Sequence, residues 1–514
     1  MVERLLRTLQ WGLSSALALL RMRQFSLVRG FVSWALKLAP GLRHARVGEQ
    51  RGCALVCDIL HKRKLPVSLA SATDFILGPP TAHPAEYVLA DTVSLYCLTE
   101  AEAIFVEVPA ACDVYAGSRA PSPFLFDTQF ELAVRVVRLP LEVMLRLASQ
   151  VELEASRLII LSNTTRCGSM LLCDMLEAAP RVRVLREPDA LTCVLLLQHV
   201  SLDAQRAILR GALRMLCKPA AAAARTAAIG RGGDGRGAGG GAPVAGGAPH
   251  AIVAIKPRGH CIKLLKLMAD AVPGCRHLFL YRDGLLTAQS MARAFCSEPV
   301  HLTRHWLLQS PMVRRLFPAD AAMAKALIVI SDDPLLEWAR AEDYFTALPP
   351  LAKYALLWAV VCRTYLLARA DGLLIAACRL DDLDRDRDRF CREVFEWCGI
   401  DAAHAALAAR ASAHAGDAHQ ASIFSRSRLA HFRAPTVDSA ELRRTLDEIC
   451  DNCGVPRLGE PTLLPGTLGH PADEAGKSAA LAPESALAWH RQGEALQSHS
   501  QAQAGGLALR RETS

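Results

Sequence analysis

The clearest pattern of apolar and polar residues lies between residues 157 and 189. Residues 158–161 form a continuous apolar run, which predicts a fully buried parallel strand. A polar loop, residues 162–168, comes next, and the apolar residues after it recur at helical spacing until Pro180. We expect this strand, loop and helix to form an anion cradle, because the loop N–H groups and the positive end of the helix dipole converge there.

Further apolar strands alternate with helical segments along the rest of the chain. The predicted strands are residues 182–185, 251–255, 277–281 and 372–380. The predicted helices between them include residues 191–217, 261–271 and 351–369, and Lys353 and Arg363 argue against a membrane span in the last of these. This alternation predicts an α/β domain over residues 152–460, with a mainly parallel sheet and helices on both faces.

A smaller α+β module is predicted ahead of this domain, over residues 51–151. Two strand-like runs within residues 87–108 indicate a β-hairpin, and two helices are expected at residues 127–138 and 140–151. None of these segments carries residues with an evident chemical role. We therefore expect the module to pack on the larger domain.

Three segments lack the pattern of a folded core. Residues 219–250 are mostly Ala, Gly and Arg and are expected to form a disordered insertion. Residues 461–514 are expected to form a disordered tail. Residues 1–50 are basic, and their apolar run is too short to span a bilayer. This segment is either an organelle-targeting or membrane-surface helix, or a helical pair that packs on the body.

Composition narrows the classes of partner. Half of the 514 residues are apolar, and the formal charge of +8 is not gathered into the basic, aromatic-interleaved stripe of a nucleic-acid binder. A small anion is therefore the expected partner. The 17 cysteines are scattered through apolar contexts, which favours core thiols in the cytoplasm or an organelle over the Golgi lumen. Cys450 and Cys453 have metal spacing but lack a second pair nearby, so no metal is expected.

Two segments carry candidate anion ligands. In the first loop, Arg166 supplies a bidentate cation, Gly168 allows close backbone approach and Ser169 offers a hydroxyl. The Lys-Ser or Lys-Thr pair of an ATP-binding Walker loop does not follow Gly168. In the second segment, Arg282 ends a strand and Ser290 lies about two turns into the next helix, so both can face a crevice at the carboxyl edge of the sheet.

The two segments in this order resemble the donor-binding motifs of sulfotransferases, which use 3'-phosphoadenosine 5'-phosphosulfate (PAPS). In that family the first loop holds the 5'-phosphosulfate, and its positions here are Arg166, Cys167, Gly168, Ser169 and Met170. Cys167 and Met170 stand where the family usually has hydroxyl residues. The second motif holds the 3'-phosphate, and Arg282 and Ser290 match its ligand positions. The resemblance covers about residues 157–400, is closer to carbohydrate-type and protein-type enzymes than to cytosolic ones, and implies a three-layer, P-loop-like fold.

The resemblance implies transfer of a sulfuryl group from PAPS to a hydroxyl of a glycan, lipid or small molecule, which requires a base and two or three cations. Glu187, in an Arg-Glu-Pro context, and His260 are the alternative bases, although each residue type also serves in structural ion pairs or at helix ends. Lys256 or Arg258 is expected to stabilise the bridging oxygen. Further candidate donor ligands in a late basic loop are Arg426 and Arg428.

Two other functions remain open at this point. A P-loop nucleotide kinase or hydrolase would use a related fold, although the Walker lysine is missing. A non-catalytic protein that keeps the sulfotransferase-like fold is the third possibility, and it is favoured by the replacements at Cys167 and Met170.

Overall fold

The computed structural model describes residues 52–64, 68–117, 120–197, 200–231, 252–296, 337–340, 348–414, 429–430 and 434–470. The described chain is a mixed α/β structure with one antiparallel and one parallel sheet. The basic segment of residues 1–50, Arg426, Arg428, the insertion beyond Arg231 and the tail beyond His470 lie outside the described residues.

The N-terminal module is built on the antiparallel sheet. Its strands are β1 (Cys53–Lys62), β2 (Phe75–Leu77), β3 (Thr81–Pro84), β4 (Val93–Leu98), β5 (Glu102–Glu107) and β6 (Arg135–Pro140). They lie in the order β2-β1-β6-β5-β4, and β3 also pairs with β1. Helices α1 (Leu125–Leu132) and α2 (Leu141–Ser149) flank β6 in the chain.

The module confirms part of the sequence interpretation and corrects the rest. The predicted hairpin is the antiparallel pair β4 and β5, and the second predicted helix is α2. The prediction of a helix over residues 127–138 is wrong beyond Leu132, because the chain then enters β6. This strand lies between β1 and β5, where Val136, Val137 and Leu139 are buried and β-branched side chains pack well.

The parallel sheet contains the strands predicted from the apolar runs. They are β7 (Leu158–Asn163), β8 (Val182–Arg186), β9 (Ile252–Lys256), β10 (Arg276–Tyr281) and β11 (Ile375–Arg379). Their order is β11-β10-β7-β9-β8, and every neighbouring pair is parallel. This order places β7 at the centre of the sheet. The loop that follows β7, through Gly168, is the one expected to bind an anion and is called the anion loop below.

The remaining helices cover both faces of this sheet. They are α3 (Ser169–Glu177), α4 (Asp189–Leu196), α5 (Leu202–Arg231), α6 (Leu265–Ala271), α7 (Gly284–Cys296), α8 (Glu337–Arg340), α9 (Pro350–Ala370), α10 (Leu380–Arg385), α11 (Arg387–Cys398), α12 (Ala405–His414) and α13 (Ala440–Cys453). Alternate residues of β10 face opposite sides, since Phe279 and Tyr281 pack with α9 and α13, whereas Leu278 and Leu280 pack with α3 and α11. The sheet is thus the middle layer of three.

The module and the parallel sheet share one hydrophobic core. Leu95 and Phe105 of the antiparallel sheet belong to the same buried cluster as Ile160 of β7, Leu185 of β8 and Ile255 of β9. This packing confirms the expectation that the module lies against the larger domain.

Two predicted boundaries need correction. Helix α5 continues to Arg231, so the backbone is helical through the first part of the segment predicted to be a disordered insertion. The segment predicted to be a tail from residue 461 is ordered to His470. There Ala377 N donates to Gly466 O (2.9 Å) and Leu468 N donates to Ala377 O (2.9 Å), because β11 is an edge strand with unpaired backbone groups.

Within the described residues, one helix is long and apolar enough to cross a membrane by length and composition. This helix is α9, and 78% of its most apolar window is buried inside the protein. Trp358, Tyr365 and Leu366 of α9 pack against β10 and α13, so its apolar character is explained by its place in the core.

Candidate functional site

The loop between β7 and α3 has an unusual backbone. Thr165 (φ 60°), Arg166 (φ 51°) and Gly168 (φ 79°) all adopt positive φ before the helix begins at Ser169. Such angles are strained for residues other than glycine, above all for a β-branched threonine. Asn163 stabilises this turn, since its Oδ1 accepts from Thr165 N (3.0 Å) and its Nδ2 donates to Pro257 O (3.3 Å).

Two glycines allow neighbouring groups to lie directly against this loop. A Cβ atom on Gly168 would lie 2.5 Å from Leu380 Cδ1, and one on Gly259 would lie 2.2 Å from Thr165 Oγ1. Real side chains do not approach so closely. The turn after β9 and the start of α10 therefore enclose the loop only because these two positions lack a side chain.

The second predicted motif meets the first. Arg166 Nε donates to Ser290 Oγ (3.2 Å), although the two residues are 124 positions apart in the chain. Arg166 lies in the loop after β7 and Ser290 lies in α7, after β10. These two strands are neighbours, but the chain leaves β7 for β8 at one edge of the sheet and leaves β10 for β11 at the other edge. Ligands of open α/β sheets bind at such switch points.

Arg282 directly follows β10, at the carboxyl edge of the sheet. Its Nε atom is buried and has no hydrogen-bond partner among the described residues. The next residue, Asp283, caps α7 by accepting from Leu286 N (2.8 Å). A buried guanidinium N–H without a partner is costly, which favours an anion as its missing acceptor.

Cys167 has a different place from the rest of the loop. Its side chain is fully buried among α3, β7 and α11 residues, and burial raises the pKa of the thiol. Ser169 is also mostly buried, at 8% exposure, whereas Met170 is half-buried. Cys167 thus fills the core as a small apolar residue instead of offering a polar contact to an anion.

Glu187 and Lys256 are brought together at the ends of β8 and β9. Lys256 Nζ donates to Glu187 Oε1, and Glu187 N donates to Lys256 O (2.6 Å). The Glu187 side chain is 16% exposed and the Lys256 side chain is 5% exposed, so the pair is largely shielded from water. Glu187 has φ 56°, so a third residue of this site has a strained backbone.

His260 lies in the same turn as Gly259, in a 3-10 segment over Gly259–Leu264. Burial, together with the nearby positive charges of Arg258, Lys256 and Lys263, lowers its pKa to about 3. The imidazole is therefore neutral at pH 7 and a weak base. Its Nε2 is buried without a hydrogen-bond partner among the described residues.

Arg258 forms a buried ion pair with Asp189. Its Nε donates to Asp189 Oδ1 (2.6 Å) and its Nη2 donates to Asp189 Oδ2 (2.9 Å). Asp189 is fully buried. The guanidinium of Arg258 thus makes a two-point contact with Asp189, and its expected role at a bridging oxygen stays a prediction.

Sequence reasoning missed Asp189, although one signal was present. Asp189 directly follows Pro188 and opens α4, a position where acidic residues favour the helix dipole. The signal indicates a helix start, but it does not indicate a partner such as Arg258. That partner became visible only when β8 and β9 were paired.

Comparisons with known proteins find no matching family and no matching curated protein. Among the described residues, no group of three or more His, Cys, Asp or Glu side chains is placed to hold a metal ion. Cys450 and Cys453 are buried cysteines of α13. The geometry at the carboxyl edge of the parallel sheet is therefore the basis for a proposed function.

Proposed function

We propose that this protein is a sulfotransferase, which transfers a sulfuryl group from PAPS to a hydroxyl of a glycan, lipid or small-molecule acceptor. The observation that carries the proposal is the contact between Arg166 and Ser290. It joins the two sequence motifs that are expected to bind the two ends of the same donor. The central strand β7 with its anion loop also supports a P-loop-like fold.

The residues at the crevice fit a donor that is anionic at both ends. At the 5' end, Arg166, Ser169 and the backbone N–H groups of the positive-φ loop would bind phosphosulfate oxygens. At the other end, Arg282 and Ser290 would bind the 3'-phosphate. The Nε of Arg282, which is buried and has no hydrogen-bond partner within the described part of the chain, favours such an anion. Cys167 contributes packing only, and Met170 lies beside the helix start.

The chemistry assigned to the site is an in-line displacement at sulfur. The acceptor oxygen forms a bond to sulfur while the bond from sulfur to the bridging phosphate oxygen breaks, and the acceptor proton passes to a base. Glu187 is the proposed base, because its carboxylate lies at the carboxyl edge of the parallel sheet and is largely shielded from water. Lys256 would stabilise negative charge on the bridging oxygen as it leaves. His260 is the alternative base, and its low pKa makes it the weaker candidate.

The first experiment compares thermal unfolding of the full chain alone, with 3'-phosphoadenosine 5'-phosphate (PAP), which is the donor without its sulfuryl group, and with ATP and magnesium. A ligand at about a hundred times its dissociation constant stabilises the folded state by about 2.7 kcal/mol, which shifts the midpoint measurably. Stabilisation by PAP alone supports the proposal. Stabilisation by ATP and magnesium alone would replace it with the nucleotide kinase or hydrolase.

A variant pair makes the experiment specific to the loop. Arg166→Ala should abolish the PAP-dependent shift. Arg157→Ala should keep it, because Arg157 lies just before the opposite end of β7 and pairs with Glu154 on the surface. Radiolabelled sulfate transfer from PAPS to a panel of hydroxyl acceptors then tests turnover. Binding of PAP without transfer to any acceptor would favour the non-catalytic alternative.

A further inference from the structure

Two ion pairs lie side by side where β8 and β9 end. Glu187 pairs with Lys256. Two residues further along from each of them, Asp189 pairs with Arg258. The first pair contains the proposed base and its cation. The second pair is more deeply buried at its acidic end, since Asp189 has no exposed surface.

The second pair is held from the other side by the N-terminal module. Ala70 N donates to Asp189 Oδ2 (2.8 Å), and Arg258 Nη2 donates to Ser68 O (3.5 Å). The guanidinium of Arg258 also lies 4.2 Å from the ring centroid of Phe126 in α1. Three separate contacts therefore connect the module to a pair that belongs to the parallel sheet.

The module completes the bonding of this buried pair. A buried carboxylate and guanidinium are stable only when their hydrogen-bonding groups are satisfied, because their desolvation is costly. Burial disfavours the charged form of Arg258, but Asp189 and Glu187 outweigh this effect and raise its pKa. Loss of the Ala70 and Ser68 contacts would leave both charges buried with fewer bonds.

The backbone at Glu187 needs such support. Glu187 is held at φ 56° by the bond from its own N–H to Lys256 O on one side, and the chain is fixed at Asp189 on the other. A strained backbone persists only when its surroundings determine it from several directions. Movement of Asp189 or Arg258 would be transmitted over two residues to Glu187 and Lys256.

We propose that Arg258 and Asp189 are positioning residues through which the N-terminal module holds Glu187 and Lys256 in their reactive arrangement. The module is then part of the catalytic unit and not an independent appendage. The expected effect on kcat rests on the proposed function. The coupling between the module and Glu187 does not, and it can be measured without turnover.

The kinetic test uses Asp189→Asn and Arg258→Lys in the full chain. Both variants keep some hydrogen bonding but lose either the charge or the two-point contact. We expect kcat to fall about 100-fold, as for a misplacement of about 1 Å, while PAP affinity stays within about twofold of the parent. Phe126→Leu removes the ring contact with Arg258, together with the contacts that the same ring makes with Lys64 and Phe124 inside the module. It should lower kcat about threefold to tenfold.

Gln129→Leu is the matched control. Gln129 is fully buried in α1, and its Nε2 donates to Ser94 Oγ and Leu95 O, so its contacts stay within the module. This variant should destabilise the module without lowering kcat at a temperature where it is folded. If Asp189→Asn and Arg258→Lys reduce kcat no more than this control, or weaken PAP binding as much as turnover, the inference is overturned.

Amide hydrogen exchange supplies a measurement that needs no turnover. In Asp189→Asn, exchange should rise together in the peptides that contain Ser68–Ala70 and Glu187, whereas in Gln129→Leu it should rise in the module alone. Unchanged exchange at Glu187 would refute the positioning role even if PAP binds. Absence of PAP binding by the parent chain would refute the proposed function and leave the exchange result to be judged separately.

Discussion

Substitution of Gly168 by alanine tests the close contact between the anion loop and α10. The backbone at Gly168 has φ 79°, which costs about 1–2 kcal/mol for an alanine. The added Cβ would also lie 2.5 Å from Leu380 Cδ1, and relief of such overpacking typically costs about 1–3 kcal/mol. The free energy of unfolding should therefore fall by about 2–5 kcal/mol.

Gly372→Ala is the control for the backbone cost alone. Gly372 has φ 87°, and nothing lies within 4 Å of the position that its Cβ would occupy. In chemical denaturation, the free energy of unfolding of Gly372→Ala should be only about 1–2 kcal/mol below that of the parent. The double variant Gly168→Ala/Leu380→Ala should be more stable than the sum of the two single losses predicts, because the truncated side chain makes room for the new methyl group.

The same variants report on function. Gly168→Ala should weaken PAP binding in calorimetry, because the loop N–H groups must shift when Leu380 is displaced, whereas Gly372→Ala should bind PAP as the parent does. Equal destabilisation by Gly168→Ala and Gly372→Ala would refute the proposed contact between the loop and Leu380.

Three further predictions concern buried charges. Burial lowers the pKa of His260 to about 3 and that of His277 to about 4, below the ordinary value near 6.5, so the folded state binds fewer protons below pH 6.5. Stability is then complete above pH 6.5, and acid denaturation at pH 5 should show a loss of about 2 kcal/mol for each histidine. Lys218→Met should cost about 3 kcal/mol in denaturant unfolding, since Lys218 Nζ donates to three backbone carbonyls. Arg282→Ala should weaken PAP binding at least tenfold in calorimetry while leaving the thermal midpoint of the free protein unchanged or raised.

Each of these predictions has an outcome that contradicts it. A double His260→Gln/His277→Gln variant with the same stability loss between pH 6.5 and 5 as the parent would show that neither histidine is the cause. Full stability of Lys218→Met would mean that its carbonyl partners find other donors. A large loss of stability in Arg282→Ala would indicate that its guanidinium is satisfied within the protein rather than by a ligand.

Local pattern was sufficient for the parallel sheet and for the order of its motifs. The apolar runs of β7 and β9 are buried on both sides, so their sequences are continuous and easy to recognise. The strand, loop and helix around Arg166 was recognisable for the same reason. The antiparallel module was harder, because β6 follows a helix directly and its strand character depends on the strands that lie on either side of it.

The tertiary structure alone decided which side chains meet. The contacts of Arg166 with Ser290 and of Asp189 with Ala70 join residues more than one hundred positions apart. Their partners follow from the strand order and from docking of the module, neither of which leaves a periodic signal in the chain. The sequence by itself therefore determined the strands of the parallel sheet and the order of the two motifs. Strand pairing and packing of the module decided that Arg258 pairs with Asp189 and that Glu187 lies beside Lys256.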